Sequence, residues 1–572
     1  MIARLFGIDV SGLDAAAFLS VARNVYPLAA LAFLICFWRS RRPSWLLLGV
    51  LAANTFAWGI TNYPLQRLYA LGVGSDRVNN LAYVQIAAAG NSPLETWQVG
   101  QSHLGSGGRP HHVLWGLVVA ALSGWAPERV FTVYAFLPLL MAWAVVLAFY
   151  FSLGRGGDAS PWSGWERGLV AGGATLLSTA PLDFTGPYGG AWAMTFLLKP
   201  NHALGLAVFP VVLWAFARAR GWGGRLLAAL VLHLIGWAFV LHLAYAACGL
   251  ALYALLSWVG GREERRRDVL DVLVGVGANV LIASPVVVSL VIGRLQRESD
   301  VFSTLPPGSS HALEATMRAG PVFLLGAWGA VVAYRRGDRM GRLFSTQVLA
   351  ALILWLAYTG LSLVDMVEQP DEMNYWVRFL FGAAAGVGAW NLVQHAPRMW
   401  PGLPAEPSRL TAIAVLVALP WTLPYWWDPV RMDRYFKGST IPLDEDLRAT
   451  GEFLRNHTPA RAVLAGDLPF ARWAAALGGR RSLLSAVGTI PSDTQRRWIV
   501  MGTLFQAREA DLVRAAAAPY EVTHLVVTPA VAARYGVSVR DLDARPYLRR
   551  VFTTGDPERE FLAIYEILPG GS

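Results

Sequence analysis

Long apolar runs recur through the first three quarters of the chain, and they limit its possible folds more than any other feature. A membrane-spanning helix needs about 20 apolar residues. Eleven apolar runs lie between residues 17 and 427. The longest, 225–258, is predicted to be a hairpin of two short spans that breaks near His242, which brings the total to about 12 helices. A mean hydropathy of +0.42 with only 15% charged residues also excludes a soluble globule. We therefore predict an α-helical, multi-pass membrane protein.

Arginine-rich loops predict the orientation of these helices, because basic loops stay in the cytoplasm. The alternation of sides is consistent only if the short run 111–125 lies at the outer surface and does not span. The N-terminus is then also outside. The cytoplasmic loops are 39–42, 218–225, 262–267 and 335–342, and the outer segments are 61–128, 182–200, 295–319, 365–375 and everything after 427. The net charge of +10 is explained by the inner arginines, so nucleic acid is not an expected partner.

The chain is predicted to have two domains. Residues 1–427 form a transmembrane domain that includes the outer loop 61–128, with surface helices near 78–90 and 111–125. Residues 428–572 are less apolar and alternate between helical and strand patterns, which favours an extracytoplasmic α/β domain. Its predicted elements are helices at 443–456 and 470–477, strands at 462–465 and 524–527, and a closing hairpin of 550–553 with 561–567.

The outer loop 61–128 carries the first candidate site residues. Asp76 precedes a helical pattern, so it is either a helix N-cap or a general base for an acceptor hydroxyl. Glu95 is a candidate second acid, for a metal or a substrate hydroxyl. The spacing of His103, His111 and His112 matches no zinc signature, and contact with substrate or phosphate is the better reading for His111 and His112.

A second group of candidates lies at the outer ends of the helices. Lys199 is one of only two lysines, and His202 follows it at the mouth of a span. The pair is placed to hold a lipid phosphate, although a snorkelling lysine would also explain Lys199. His242, at the outward turn of its hairpin, falls at a similar depth. Asp183 is another outer-loop carboxylate and a possible second acid.

Arg378 completes the set at the outer end of a later span, within the run MNYWVRF at 373–379. A guanidinium suits a phosphate leaving group, because it offsets the charge that grows as the bond breaks. Snorkelling toward the membrane interface is the alternative explanation for this residue as well.

This layout resembles the GT-C superfamily of integral membrane glycosyltransferases. The likeness rests on the first outer loop with an acidic residue, two surface helices, the stretch 107–124 (GGRPHHVLWGLVVAALSG), an arginine beside the last spans, and the tail 451–478 (GEFLRNHTPARAVLAGDLPFARWAAALG). The resemblance implies a polyprenyl-phosphate-linked sugar as donor, and it assigns the role of base or metal ligand to Asp76. The need for a divalent cation, Mg²⁺ or Mn²⁺, stays open, with Asp76 and Glu95 as candidate ligands.

The expected function is therefore an inverting glycosyltransferase at the outer face of a bacterial cytoplasmic membrane. Its acceptor would be a glycan, a lipid or a protein, and its other partner is the bilayer. Two other classes stay open. A transporter or flippase of lipid-linked glycans would carry charges in the middle of its spans and repeat symmetry, whereas charges here cluster at helix ends. The third possibility is a catalytically silent GT-C-like scaffold.

Overall fold

A computed structural model describes the larger part of the chain. The described residues are 42–62, 76–92, 94–101, 110–125, 127–154, 162–177, 200–238, 240–260, 266, 268–282, 320–363, 371–404, 406, 408–411, 413, 445–485, 493–555 and 561–570.

Eighteen helices and five strands are numbered here in chain order within these residues. The helices before the first strand are α1 Pro43–Asn62, α2 Asp76–Ala88, α3 Pro110–Leu122, α4 Pro127–Gly154, α5 Gly164–Gly172, α6 Pro200–Arg218, α7 Gly221–Ala238, α8 Val240–Val259, α9 268–282, α10 Gly320–Arg335, α11 Arg339–Leu363, α12 Asp371–Met399 and α13 Glu445–His457. The remaining elements are β1 Val463–Ala465, α14 Leu468–Gly478, β2 Arg481–Ser482, α15 Thr494–Gln506, α16 Ala510–Ala517, β3 Val522–Val527, α17 Pro529–Tyr535, α18 Val539–Asp543, β4 Leu548–Gly555 and β5 Phe561–Ile567.

Contacts divide these elements into two compact units. The membrane unit contains α1, the part of α4 from Leu137 onward, and α5 to α12. The second unit, named the outer unit after the position predicted for its loop and tail, contains α2, α3, the start of α4 and all elements from α13 onward. The sequence analysis grouped the loop 61–128 with the membrane domain, whereas its described residues pack with the C-terminal elements because α2 lies against α14.

Helices of membrane-spanning length are present in the membrane unit. Within the described ranges, four are long and apolar enough to span: Gly221–Ala238, Leu241–Val259, Arg339–Ala357 and Trp376–Met399. Three shorter apolar helices accompany them: Leu139–Gly154, His202–Arg218 and Val322–Arg335. The predicted division of 225–258 into two helices is present, since α7 ends at Ala238 and α8 begins at Val240, but His242 lies in the first turn of α8 and not at the break. The other predicted spans include runs outside the described residues.

Small residues let α12 pack at backbone distance against its neighbours. A Cβ on Gly386 would lie 2.3 Å from the Leu169 carbonyl oxygen of α5, and one on Gly329 of α10 would lie 1.9 Å from that of Ala384. Both contacts would be impossible with a side chain. In a membrane, where lipid is as apolar as leucine, such close packing is what holds helices together. The glycine- and alanine-rich sequence of α12 therefore explains its central place in the unit.

Paired charges connect the ends of several helices in this unit. Arg225 of α7 lies 2.6 Å from Asp271 of α9, and Arg339 of α11 lies 3.3 Å from Asp268. The loops that carry these arginines are the ones predicted to face the cytoplasm. The acidic partners in α9 keep the partly buried guanidinium groups neutralised where the helices converge.

The C-terminal module, defined as the described residues from Glu445 to Gly570, is built on a five-stranded sheet. The strand order is β2-β1-β3-β5-β4. Strand β1 pairs in parallel with β2 and β3, whereas β5 is antiparallel to both β3 and β4. The predicted strands and helices of the tail are present, and the predicted closing hairpin is the β4–β5 pair. The sheet is thus mixed, and parallel only in its β2-β1-β3 part.

A buried arginine holds two helix ends together in this module. Arg480 is 3% exposed, and burial lowers the pKa of its guanidinium to about 10, which leaves it charged at neutral pH. It donates to the carbonyl oxygens of Gly478, Arg455 and Thr458 and to the Thr458 hydroxyl, at 2.8–3.0 Å. These acceptors lie at the C-terminal ends of α13 and α14, where helix dipoles favour a cation. Arg480 therefore caps both helices.

Burial of His524 in β3 makes the stability of the module depend on pH. Burial lowers the pKa of its imidazole, and the nearby Arg480 adds to this effect, whereas Glu566 opposes it. The unfolded chain therefore binds a proton at a higher pH than the folded module does, so stability must fall as the pH drops through about 6.5, at no more than about 1.4 kcal/mol per pH unit. We expect the free energy of opening of β3, measured by hydrogen exchange, to fall between pH 7.5 and 5.5.

A matched pair of variants isolates this histidine. His524→Gln should flatten the pH dependence, since glutamine does not titrate. Replacement of the exposed His457 by glutamine should retain the wild-type dependence. An unchanged slope in the His524 variant would show that other groups control the response.

Candidate functional site

The predicted general base lies at the first residue of a short helix. Helix α2 begins at Asp76 and ends at Ala88, whereas the sequence pattern placed Asp76 just before a helix near 78–90. The backbone N–H groups of a first helical turn stabilise a negative charge placed there. This position therefore suits a carboxylate that must stay ionised before it accepts a proton.

The rest of the first outer loop is joined to the C-terminal module. Ser482 of β2 donates its backbone N–H to the Trp97 carbonyl at 2.7 Å, and Val99 donates to the Ser482 carbonyl at 3.0 Å. Residues 97–99 thus extend the sheet beyond its short edge strand β2. Trp97 is buried and stacks on Tyr83 of α2, with 4.7 Å between ring centroids.

Glu95 has a partner in this module. Its carboxylate accepts a hydrogen bond from Arg481 at 2.8 Å. The side chain of Arg481 is only 8% exposed, so this contact neutralises a charge at the edge of the sheet. The observed geometry thus gives Glu95 a part in joining the loop to the module.

A second cluster forms in the membrane unit, where two of the predicted histidines meet. His202 of α6 and His242 of α8 are both buried, and their ring centroids are 5.2 Å apart in an edge-to-face arrangement. Gly205, one helical turn after His202, makes this possible, since a Cβ there would lie 2.5 Å from the His242 Nδ1. The prediction that these histidines lie at similar depth agrees with this geometry.

Aromatic residues that the sequence analysis did not select complete this histidine cluster. Trp376 of α12 lies 5.0 Å from His242 and 6.0 Å from Tyr245, between ring centroids. The indole Nε1 of Trp376 is buried and has no hydrogen-bond partner within the described part of the chain. A buried donor without a partner is rare in folded proteins. The sequence shows Trp376 in MNYWVRF, two residues before Arg378, but a tryptophan near a membrane interface gave no reason to select it.

Arg378 is partly buried on the same helix. Residues two apart on a helix do not share a face, so Arg378 does not lie on the side of α12 that carries Trp376. The structure does not describe the side chains of the remaining candidates. Lys199, Asp183 and His103 lie outside the described residues. His111 and His112 fall in the first turn of α3, but neither their side chains nor that of Asp76 is described.

Metal binding finds no support in the side chains that are described. Among them, no group of three or more His, Cys, Asp and Glu residues is arranged to hold a metal ion. Glu95, one of the two candidate ligands, is paired with Arg481. The requirement for Mg²⁺ or Mn²⁺ therefore stays a prediction about Asp76.

Comparison with known proteins gives similarity to solved structures. No family model and no curated protein matches the chain. The arabinofuranosyltransferase AftD from Mycobacteria is 17% identical, with a TM-score of 0.50 over 92% of this chain and 40% of AftD. The Archaeoglobus fulgidus oligosaccharyltransferase is 13% identical, with a TM-score of 0.49 over 89% of this chain and 73% of its own. ArnT from Cupriavidus metallidurans, solved with undecaprenyl phosphate, is 14% identical, with a TM-score of 0.48 over 91% and 98%.

The fold agreement with AftD extends over nearly the whole of this chain. Because the identity is low, the agreement concerns the fold and not the activity. It confirms the resemblance that the arrangement of spans, outer loop and tail indicated. The chain has the fold of the GT-C glycosyltransferases.

Proposed function

We propose that this protein is a membrane glycosyltransferase that moves a sugar from a polyprenyl phosphate to an acceptor hydroxyl at the outer face of the membrane. The observation that carries the proposal is the cluster of His202, His242 and Trp376. Ionisable and hydrogen-bonding side chains are costly inside a membrane, and they mark functional sites there by default. The GT-C fold supports the class of reaction only by analogy.

The proposed reaction is a direct displacement at the anomeric carbon. The acceptor oxygen attacks this carbon while Asp76 removes the hydroxyl proton. The bond between the anomeric carbon and the phosphate oxygen breaks, and the electron pair leaves with the polyprenyl phosphate. One displacement inverts the anomeric configuration. Asp76 ends protonated and then releases its proton to water.

Positive charge and hydrogen-bond donors should stabilise the leaving phosphate. Lys199 precedes α6 by one residue, and His202 lies in the first turn of the same helix, so both belong to one end of it. The ring of Trp376, whose indole N–H has no partner among the described residues, lies 5.0 Å from that of His242, which in turn contacts His202. We propose that these groups hold the phosphate as its charge grows, whereas Arg378 lies on another side of α12 and is not part of this set. His111 and His112 are proposed to contact substrate in the outer unit.

The reaction can be tested in proteoliposomes that contain polyprenyl-phosphate-linked arabinose, glucose or mannose with a labelled sugar. A cell-envelope glycan extract serves as acceptor. We expect one donor to give label in a new glycosidic bond, with one polyprenyl phosphate released per sugar transferred. Label that crosses the bilayer still attached to lipid would instead identify a transporter. Absence of both, with all three donors, would favour a silent scaffold and overturn the proposal.

His202 provides the test of the donor site. His202→Leu keeps a side chain of similar bulk but removes its hydrogen bond to the phosphate, which is worth about 1.5–3 kcal/mol when one partner is charged. We expect the KM for the donor to rise about 10-fold to 100-fold. The control is His233→Leu in α7, a membrane-helix histidine that accepts from Trp237 at 2.7 Å. Equal KM values for the two variants would remove His202 from the site.

A further inference from the structure

The strand-like segment 97–99 is held to the C-terminal module by a buried guanidinium. Arg497 of α15 is 2% exposed. It donates to the Val99 carbonyl at 2.9 Å and to the Leu483 carbonyl at 2.8 Å. One side chain thus bonds both the loop and the chain that follows β2. Its third contact, with Asp493 at 2.7 Å, keeps the guanidinium neutralised.

Helix α2 itself is packed into the same unit along most of its length. Every residue from Leu81 to Ala88 is buried. The helix contacts α3 and α14, and Asn91 just beyond it donates its side-chain N–H to the Ala460 carbonyl at 3.1 Å. A helix buried over these residues moves only if its surroundings move.

Gly479 of the module packs closely against α2. This residue ends α14 in the left-handed conformation, with φ +65°. A Cβ there would lie 2.9 Å from the Ala89 Cβ and 3.0 Å from the Gln85 carbonyl oxygen. The contact therefore falls at the C-terminal end of α2, whereas Asp76 lies at its other end.

Because α2 is a rigid helix, a shift at its C-terminal end is transmitted to Asp76 at its N-terminal end. Nine residues separate Gln85 from Asp76, which corresponds to about 14 Å at the rise of an α-helix. A tilt of about 5° at Gly479 would displace Asp76 by about 1 Å. A misplacement of about 1 Å in a catalytic group can cost about 100-fold in rate.

We propose that the C-terminal module positions Asp76 for catalysis through the contact of Gly479 with α2 and the clamp of Arg497 on residues 97–99. This inference rests on the proposed function, since it assigns to Gly479 and Arg497 a positioning role in the same reaction. The module acts on the rate of the chemical step through Asp76, and it leaves the affinity for the lipid donor unchanged.

Two glycines of the module supply a matched test. Gly479→Ala and Gly536→Ala impose the same backbone strain, because Gly536 ends α17 with φ +64°. A Cβ on Gly536 meets no atom within 4 Å, so only the Gly479 variant pushes on α2. We expect Gly479→Ala to lower kcat at least 10-fold without a change in the KM for the polyprenyl-phosphate donor. Gly536→Ala should stay within twofold of wild type.

Rescue and hydrogen exchange separate positioning from a loss of folding. Ala89→Gly removes the nearer of the two atoms that a side chain at position 479 would meet, so adding it to Gly479→Ala should restore part of the lost kcat. Amide exchange in residues 81–92 should rise at least 10-fold in Gly479→Ala and stay at the wild-type level in Gly536→Ala. Equal kcat values for the two glycine variants, or no rescue, would overturn the inference.

A substitute variant and a second readout cover the cases in which Gly479→Ala does not fold or no transfer is seen. If Gly479→Ala does not fold, Arg497→Lys replaces it, since one ammonium nitrogen lacks the planar fork of donors that bonds the two carbonyls, and the same loss of kcat at constant KM is expected. Failure of the proposed function would appear as absence of transfer by the wild-type protein. In that case hydrogen exchange still tests the contact between Gly479 and α2. Equal amide exchange of α2 in Gly479→Ala and Gly536→Ala would show that this contact does not hold the helix.

Discussion

Replacement of Asp76 by asparagine is expected to lower the rate of sugar transfer about 1,000-fold, which is typical for loss of a general base. Asparagine preserves the size of the side chain and the capacity to cap α2, but it cannot accept the proton of the attacking hydroxyl. The substitution thus separates the two explanations for this residue, because an N-cap function survives it. Donor affinity should not change, since the base does not contact the phosphate in the proposed mechanism.

The measurement is single-turnover transfer from the donor identified in proteoliposomes, together with donor binding at equilibrium. Asp511→Asn is the control, because the side chain of Asp511 in α16 is fully exposed and far in sequence from the loop. A wild-type rate in the Asp76 variant would refute the catalytic assignment. Exchange of α2 should match wild type, which would show that the helix remains folded.

Loss of Arg480 is expected to cause the largest change in stability. Arg480→Ala would leave the carbonyl oxygens of Gly478, Arg455 and Thr458 buried without their donor. Each buried acceptor left without its donor costs about 1–3 kcal/mol, so the loss of three carbonyl partners is expected to cost at least about 3 kcal/mol. The C-terminal ends of α13 and α14 should therefore open together, while the helices of the membrane unit stay folded.

Hydrogen exchange of α13 and α14 in the full-length protein measures this loss. Arg480→Lys should fall between wild type and alanine, because one ammonium keeps the charge but not the fork of donors. The exposed Arg461, replaced by alanine, should stay within about 0.5 kcal/mol of wild type. If Arg480→Ala does so too, the hydrogen bonds seen at this residue do not stabilise the module.

The sequence predicted the type of each unit because its signals are local. Apolar length identifies spans, and periodicity with alternating segments identified the tail, including the β4–β5 hairpin. The division of 225–258 into two helices followed from length alone, since 34 apolar residues are too many for one span. The place of the outer loop was not predictable in this way. The loop is attached to the module through Ser482 and Arg497, which lie hundreds of positions from it in the sequence. A periodic pattern of residues cannot predict contacts of this kind.

In the candidate site, too, features with a local sequence signal were predictable and long-range contacts were not. His202 and His242 could be selected because histidine is unusual at the end of an apolar run. Trp376 could not, since tryptophan is expected at membrane interfaces, and only the packing of α6, α8 and α12 reveals its buried N–H. Glu95 was selected for its charge, but the structure pairs that charge with Arg481, a residue that sequence reasoning had no cause to connect with it.

The sheet extension by residues 97–99 has a consequence for biogenesis. Val99 and Arg497 are 398 residues apart in the chain. At about 5–20 residues per second, the ribosome needs about 20–80 s to make the second after the first. During this interval the apolar surfaces of Tyr83 and Trp97 have no module to cover them. The outer unit can therefore be completed only after the C-terminal module has been made, and until then this loop needs protection from aggregation.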